Sequence, residues 1–204
     1  MNEDDKTSEG MLRVETEKHG FVGYVNKTSD HKANIKAAGQ LLRSKGLKES
    51  PTEEELIFRQ AIYFIKLALD IRNKDLSSFP GNSQGFVPFV VNATFGAELL
   101  IKCLLRIHGQ SKNTHTLTAL FKQLPNKIKD KINKCKKHIE PQFEVDSTLL
   151  FKDHLKVINN EFEEWRYIYE KDFAHFDIPT VLLVLNVLHD VASSELEIRE
   201  ARDV

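Results

Sequence analysis

The stretch from Phe86 to Gly109, FVPFVVNATFGAELLIKCLLRIHG, constrains this chain more than any other. Strong polarity enters it only at Asn92, Glu98, Lys102 and Arg106, and at about 100° per residue these four fall within one third of a helix circumference. The rest of the girth is apolar and has to be covered from several sides, as in the inner element of a helix bundle. The stretch reads as too short and too interrupted to span a membrane. Pro88 is tolerable because it lies in the first turn, and Gly109 ends the helix. Whether the polar stripe meets solvent, an ion-pair partner or a ligand is the functional question.

The covering partners can be read on both sides of it. Thr52 to Arg72 opens with a capping box, Thr52 as N-cap and Glu55 three residues on. It carries two adjacent apolar stripes, Phe58, Ile62, Ile65, Leu69 and Ile57, Ala61, Phe64, Ala68. SSFPGNSQG is a turn-rich connection. After Gly109, a cap at Asn113 or Thr114 should start a short helix that stops before Pro125. Asn126 to His138 is a further helix with a dense lysine face, which reads either as a solvated face or as a track for phosphates. Leu149 to Glu170 repeats Phe151, Leu155, Ile158, Phe162, Trp165 and Tyr169 at steps of three or four, a continuous core stripe. Asp177 and Pro179 mark the start of a last helix running to about Arg199.

The expected architecture is an all-α antiparallel bundle of four to six helices over residues 51–200. Residues 1–50 read as a charged, partly disordered N-terminal extension. Within that extension the first ten residues are expected to be disordered, and Gly20 to Val25 is a strand or a docking segment. HKANIKAAGQLLRSKG is a peripheral helix between Asp30 and Gly46.

Composition narrows the function classes. A length of 204 residues with 41% hydrophobic content can bury a core without disulfide or metal support. A net charge of −1 excludes a globally basic polyanion binder but not a local basic patch. Cys103 and Cys135 are the only cysteines, both inside helical patterns, which fits a reduced, cytoplasmic setting. The opening MNEDDKTSEG has no apolar run and is no secretory signal. Gly-rich phosphate loops, nucleophile elbows and paired Glu-x-x-His motifs are absent from the sequence, and no metal or cofactor is expected.

The remaining chemistry sits in EFEEWRYIYEKDFAHF, residues 161–176. Arg166 borders the apolar stripe, with Glu163 and Glu170 at pairing distance along a helix, so a local ion pair is the plain alternative to a ligand site. Tyr167 and Tyr169 point about 200° apart and cannot both join the core. Aromatic rings beside a guanidinium can stack a base while the arginine contacts phosphate. His175 lies just beyond, where a neutral imidazole could act as a base.

In their order these segments resemble the HEPN (higher eukaryotes and prokaryotes nucleotide-binding) superfamily, and within it a bacterial branch of uncharacterised members. VVNATFGAELLIKCLLRIHG is similar to that family's long second helix, His115-Thr-Leu to its His-x-Leu segment, and EWRYIYE to its arginine-bearing segment. The resemblance implies a compact helical bundle, often dimeric, and in many members a metal-independent ribonuclease using an arginine and a histidine. Carried over, those would be Arg166 and His175. The match departs from the family pattern, because Tyr167 replaces the usual polar residue after the arginine and the interval to His175 is longer. Arg13 and His19 reproduce the usual spacing, but in the N-terminal region outside the bundle.

The expectation is therefore RNA or nucleotide binding with a degenerate or lost ribonuclease motif. Tyr167, Tyr169, Glu170, Glu98, Lys102, Asn92 and His115 would supply the contacts, and Glu98 or Lys102 would approach Arg166 and Tyr169 in one polar pocket. The alternatives are an active endoribonuclease of toxin or defence type using Arg166 and His175, and a non-catalytic protein-interaction module. Expected partners are RNA or a nucleotide, a second copy of the chain and a protein partner, with no membrane.

Overall fold

A computed structural model describes residues 10–16, 19–47, 51–77, 83–110, 113–159 and 177–203. The chain divides into two compact units, Met1–Pro51 and Thr52–Val204. The molecule is mostly helical but not all-α, because the first unit contains an antiparallel hairpin. Its strands are β1 (Met11–Thr16) and β2 (Gly20–Asn26), in register Leu12 to Val25 and Arg13 to Tyr24. GFVGYV is thus a strand. Its partner MLRVET went unread as a strand because charged residues alternate with only two strong apolar ones, Leu12 and Val14. Helix α1 (His31–Ser44) follows, with the Asp30 carboxylate accepting from the Lys32 N–H. The Asn34 side-chain amide exchanges hydrogen bonds with the backbone of Thr28, which fixes the strand-to-helix turn. Residues 1–9, expected to be disordered, lie outside the described residues.

The second unit is built around α3 (Phe86–Ile107). Thirteen of its residues are buried, and α2 (Glu53–Ile71), α4 (Leu117–Gln123) and α7 (Ile178–Asp203) pack on it. By length and composition α3 is apolar enough to cross a membrane, an 18-residue stretch of it having a mean hydropathy of 1.5, which corrects the reading that it is too short; 67% of that stretch is buried inside the protein instead. Gly109 takes φ +70° just past its end, and the Gln110 N–H closes back on the Leu105 carbonyl.

Contact between α2 and α3 is the most extensive in the unit. It is close because small residues line it: Ala61 and Ala68 on α2 meet Ala93, Gly96 and Ala97 on α3, all buried. A Cβ on Gly96 would lie 2.7 Å from Ile65 Cγ1, so only glycine fits at this separation. The capping box forms as its spacing predicts, Thr52 accepting from the Glu55 N–H and Glu55 from the Thr52 N–H. Helix α2 then widens into a π-turn, Arg72–Leu76, so the helical chain continues past Arg72, where the sequence pattern ends it.

Helices α5 (Asn126–Ile139) and α6 (Phe151–Ile158) complete the cover, packing on α7 and on each other. Phe151, Leu155 and Ile158 are buried as their spacing predicts. The rest of that stripe, Phe162, Trp165 and Tyr169, lies outside the described residues. Helix α7 starts at Ile178, with both Asp177 carboxylate oxygens engaged by Thr180.

Candidate functional site

The polar stripe of α3 does not act as one unit. Near its start, the Asn92 side chain folds back and donates to the Pro88 carbonyl at 2.6 Å, so it serves its own helix. At its far end Arg106 pairs with Glu53, the first residue of α2. Neighbouring Glu54 binds Arg199 of α7 at 2.6 Å, and the buried Cys103 thiol donates to the Glu54 carbonyl. The acidic start of α2 thus does more than complement its helix dipole: it ties together three helices. Burial pushes the Glu54 carboxyl up, but hydrogen bonds from its own backbone, Arg199 and Thr52 outweigh this and hold it below the usual range. The Cys103 thiol is pushed up to about 12, first by burial and then by the Glu54 charge, so it is no nucleophile.

Between those ends lies the one place where, among the described residues, the stripe reaches a segment outside its own helix and α2. Glu98 is 3% exposed, and its Oε1 accepts from Lys102 Nζ at 2.7 Å, one helical turn on, and from His115 Nδ1 at 3.0 Å. A carboxylate has only acceptors, so Nδ1 must carry the hydrogen. That leaves Nε2 as the outward atom of an imidazole whose side chain is 68% exposed. Glu98 therefore orients the ring from below, the arrangement by which a buried acid sets the tautomer of a working histidine. The outward Nε2 can accept a proton, or donate to an anion once the ring is charged. Lys102, 25% exposed, adds a cation at the same point.

Helix α4 begins two residues after His115, at Leu117. The expected cap at Asn113 or Thr114 is not its N-cap: Thr116 occupies that position without a side-chain bond, and Asn159 at the end of α6 accepts from both the N–H and the hydroxyl of Thr118. Asn159 is the last described residue before 160–176. Arg166, Tyr167, Tyr169, Glu170 and His175 all fall in that interval and lie outside the described residues, as does any approach of Glu98 or Lys102 to them. Of the expected contacts, Glu98, Lys102 and His115 come together and Asn92 does not join them. Arg13 and His19 have local partners: Arg13 pairs with Glu15 at 2.6 Å and lies 4.8 Å over the Phe21 ring, and the His19 backbone N–H donates to Thr16.

A second polar cluster was not read from the sequence. Lys136 is buried, its ammonium donating to the Ser147 and Leu149 carbonyls at 3.1 and 2.7 Å and pairing with Glu140. His154, 1% exposed, carries a charge interaction with it and has no hydrogen-bond partner at either ring nitrogen among the described residues. The signal was present: His154 falls between Phe151, Leu155 and Ile158 on the apolar face of α6. Among the described residues no three His, Cys, Asp or Glu side chains converge as metal ligands. A groove of about 250 Å³ between α2 and α7 has an apolar lining of Ile62, Ile65, Leu69, Leu182 and Leu185 with Lys66, Asn186 and His189 beside it, and the Asn186 amide donates to the Leu182 carbonyl of its own helix.

Comparison of the chain with protein-family models, with curated proteins and with solved structures returns no match.

Proposed function

We propose that this chain is a HEPN-like antiparallel bundle of four to six helices that binds single-stranded RNA or a nucleotide, its ribonuclease motif degenerate or lost. The observation that carries the reading is the 3.0 Å contact between Glu98 and His115. It joins two of the three segments on which the resemblance rests, and it presents an oriented imidazole beside a lysine, a suitable contact for a phosphate or a base edge. The hydrogen bonds from Thr118 to Asn159 add support, because they hold the chain leading into the Arg166-bearing segment against the helix that follows His115. In this reading Arg166 contacts phosphate, Tyr167 or Tyr169 stacks a base, and the functional form is a homodimer.

The test is a titration of labelled single-stranded RNA at low and moderate salt, with the RNA afterwards resolved on a gel. Wild-type protein is expected to bind, to lose affinity as salt rises, and to return the RNA uncut. His115→Ala should weaken binding about tenfold, equivalent to ~1.4 kcal/mol, with its helical circular dichroism kept. Failure of the wild type to bind at low salt overturns the proposal. Cut RNA that becomes intact with Arg166→Ala would replace it by the endoribonuclease reading.

A further inference from the structure

Helix α5 holds six lysines and one aspartate in 14 residues, in a chain whose net charge is −1. A solvated face would leave those lysines equivalent; the structure instead divides them. Lys136 is turned inward onto the Ser147 and Leu149 carbonyls. Lys129 donates to the Lys122 carbonyl at 2.6 Å, at the junction with α4. Lys131 is held by Glu195 at 2.8 Å and by the Ser194 hydroxyl at 2.9 Å, and Glu195 also lies 3.3 Å from His108 at the end of α3. Lys127, Lys134 and Lys137 are exposed, and no described carboxylate pairs with them.

Lys127, Lys131 and Lys134 follow one another at four and three residues, so they form a single line along α5, with successive rises of about 6 and 4.5 Å. Together with Ile128, Asp130 and Glu195 they line a cavity of about 450 Å³, within the size range of ligand sites. Three cations in a row, two of them lacking a described carboxylate partner and the third held by a displaceable one, suit a ligand that offers a series of negative charges.

We propose that this lysine line is a second binding surface, which holds the phosphate backbone of single-stranded RNA. The inference rests on the RNA-binding reading above and adds to it a surface that shares no residue with the Glu98–His115 pair. The carboxylates in the cavity set its strength: Glu195 occupies Lys131 in the free protein, and Asp130 opposes an incoming phosphate. Binding therefore exchanges the Lys131–Glu195 ion pair for a Lys131–phosphate contact.

The experiment is the salt dependence of binding of a fluorescent twelve-nucleotide uridine oligomer to the full chain. Lys127→Gln with Lys134→Gln should lower affinity at low salt by about tenfold and reduce the slope of log affinity against log salt by about 1.4, two phosphate contacts at ~0.7 each. Asp130→Asn, an exposed change that removes a repelling charge, should tighten binding several-fold, a gain that a purely structural role for this face would not produce. The inference is overturned if wild type binds while both variants keep its affinity and slope, an outcome that leaves the Glu98–His115 site standing. Weakening by His115→Ala alone overturns it equally, weakening by the lysine variant alone sinks the His115 site instead, and a wild type that does not bind sinks both.

Discussion

His154 occupies an apolar position on α6 with neither ring nitrogen hydrogen-bonded among the described residues, an environment that favours the neutral imidazole. Burial depresses its pKa first and the Lys136 ammonium depresses it further, while Glu140, Asp177 and Asp146 oppose this without reversing it. Its folded pKa thus lies below the ordinary imidazole value of about 6.5. The unfolded chain takes up a proton before the folded one does, so this contribution to stability is complete above that value and is lost as pH falls through it toward the folded pKa. Melting temperature should drop between pH 7.5 and 5.5 in the wild type, and His154→Leu should flatten that part of the profile. An unchanged slope in the variant would show that another group drives it. Lys136 shows how little a residue's type alone says about its place. Lys134 and Lys137, within two residues of it, are of the same type and exposed, and only the loop carbonyls folded over Lys136 make it the inward one.

Helices whose ends are capped by near neighbours were legible, and those capped from afar were not. The Thr52 and Glu55 box on α2 is three residues wide and was readable as a pattern. The N–H near the start of α4 is satisfied by Asn159, 41 residues away, so the local candidates Asn113 and Thr114 were misleading. The pairing of α2 with α3 falls between these cases, since periodicity marks which faces are apolar but not how closely the backbones approach. Gly96→Ala tests that approach. The helix itself would favour alanine by about 1 kcal/mol, yet the new Cβ meets Ile65 Cγ1 at 2.7 Å. Overpacking of this kind costs about 1–3 kcal/mol, and net destabilisation in a denaturant titration is expected. Combining it with Ile65→Ala should show favourable coupling in a double-mutant cycle. Additive effects would mean that the two side chains do not compete for space.

The core of the molecule is drawn from one part of the chain: every residue of the described cluster lies between Ala61 and Ala192. The first unit has a small interior of its own, with Val14, Asn34 and Gly39 buried. A chain beginning at Thr52 should therefore keep its helical circular dichroism and melt cooperatively within about 2–4 °C of the full protein, the shift expected for a change near 1 kcal/mol. A loss of cooperativity would show that the helical unit needs the hairpin. By itself the sequence determined the helices from α2 to α7 and the inner position of α3, because a 3.6-residue apolar period and short-range caps are local properties. It also placed Glu98, Lys102 and His115 in a candidate site. Only the tertiary structure decided what those polar residues do. Asn92, Glu98 and Arg106 share one stripe, yet they end on their own backbone, on His115 and on α2. The physical reason is that a hydrogen bond or ion pair is chosen by whichever segment lies across from it, and that segment is brought there by apolar burial elsewhere in the chain.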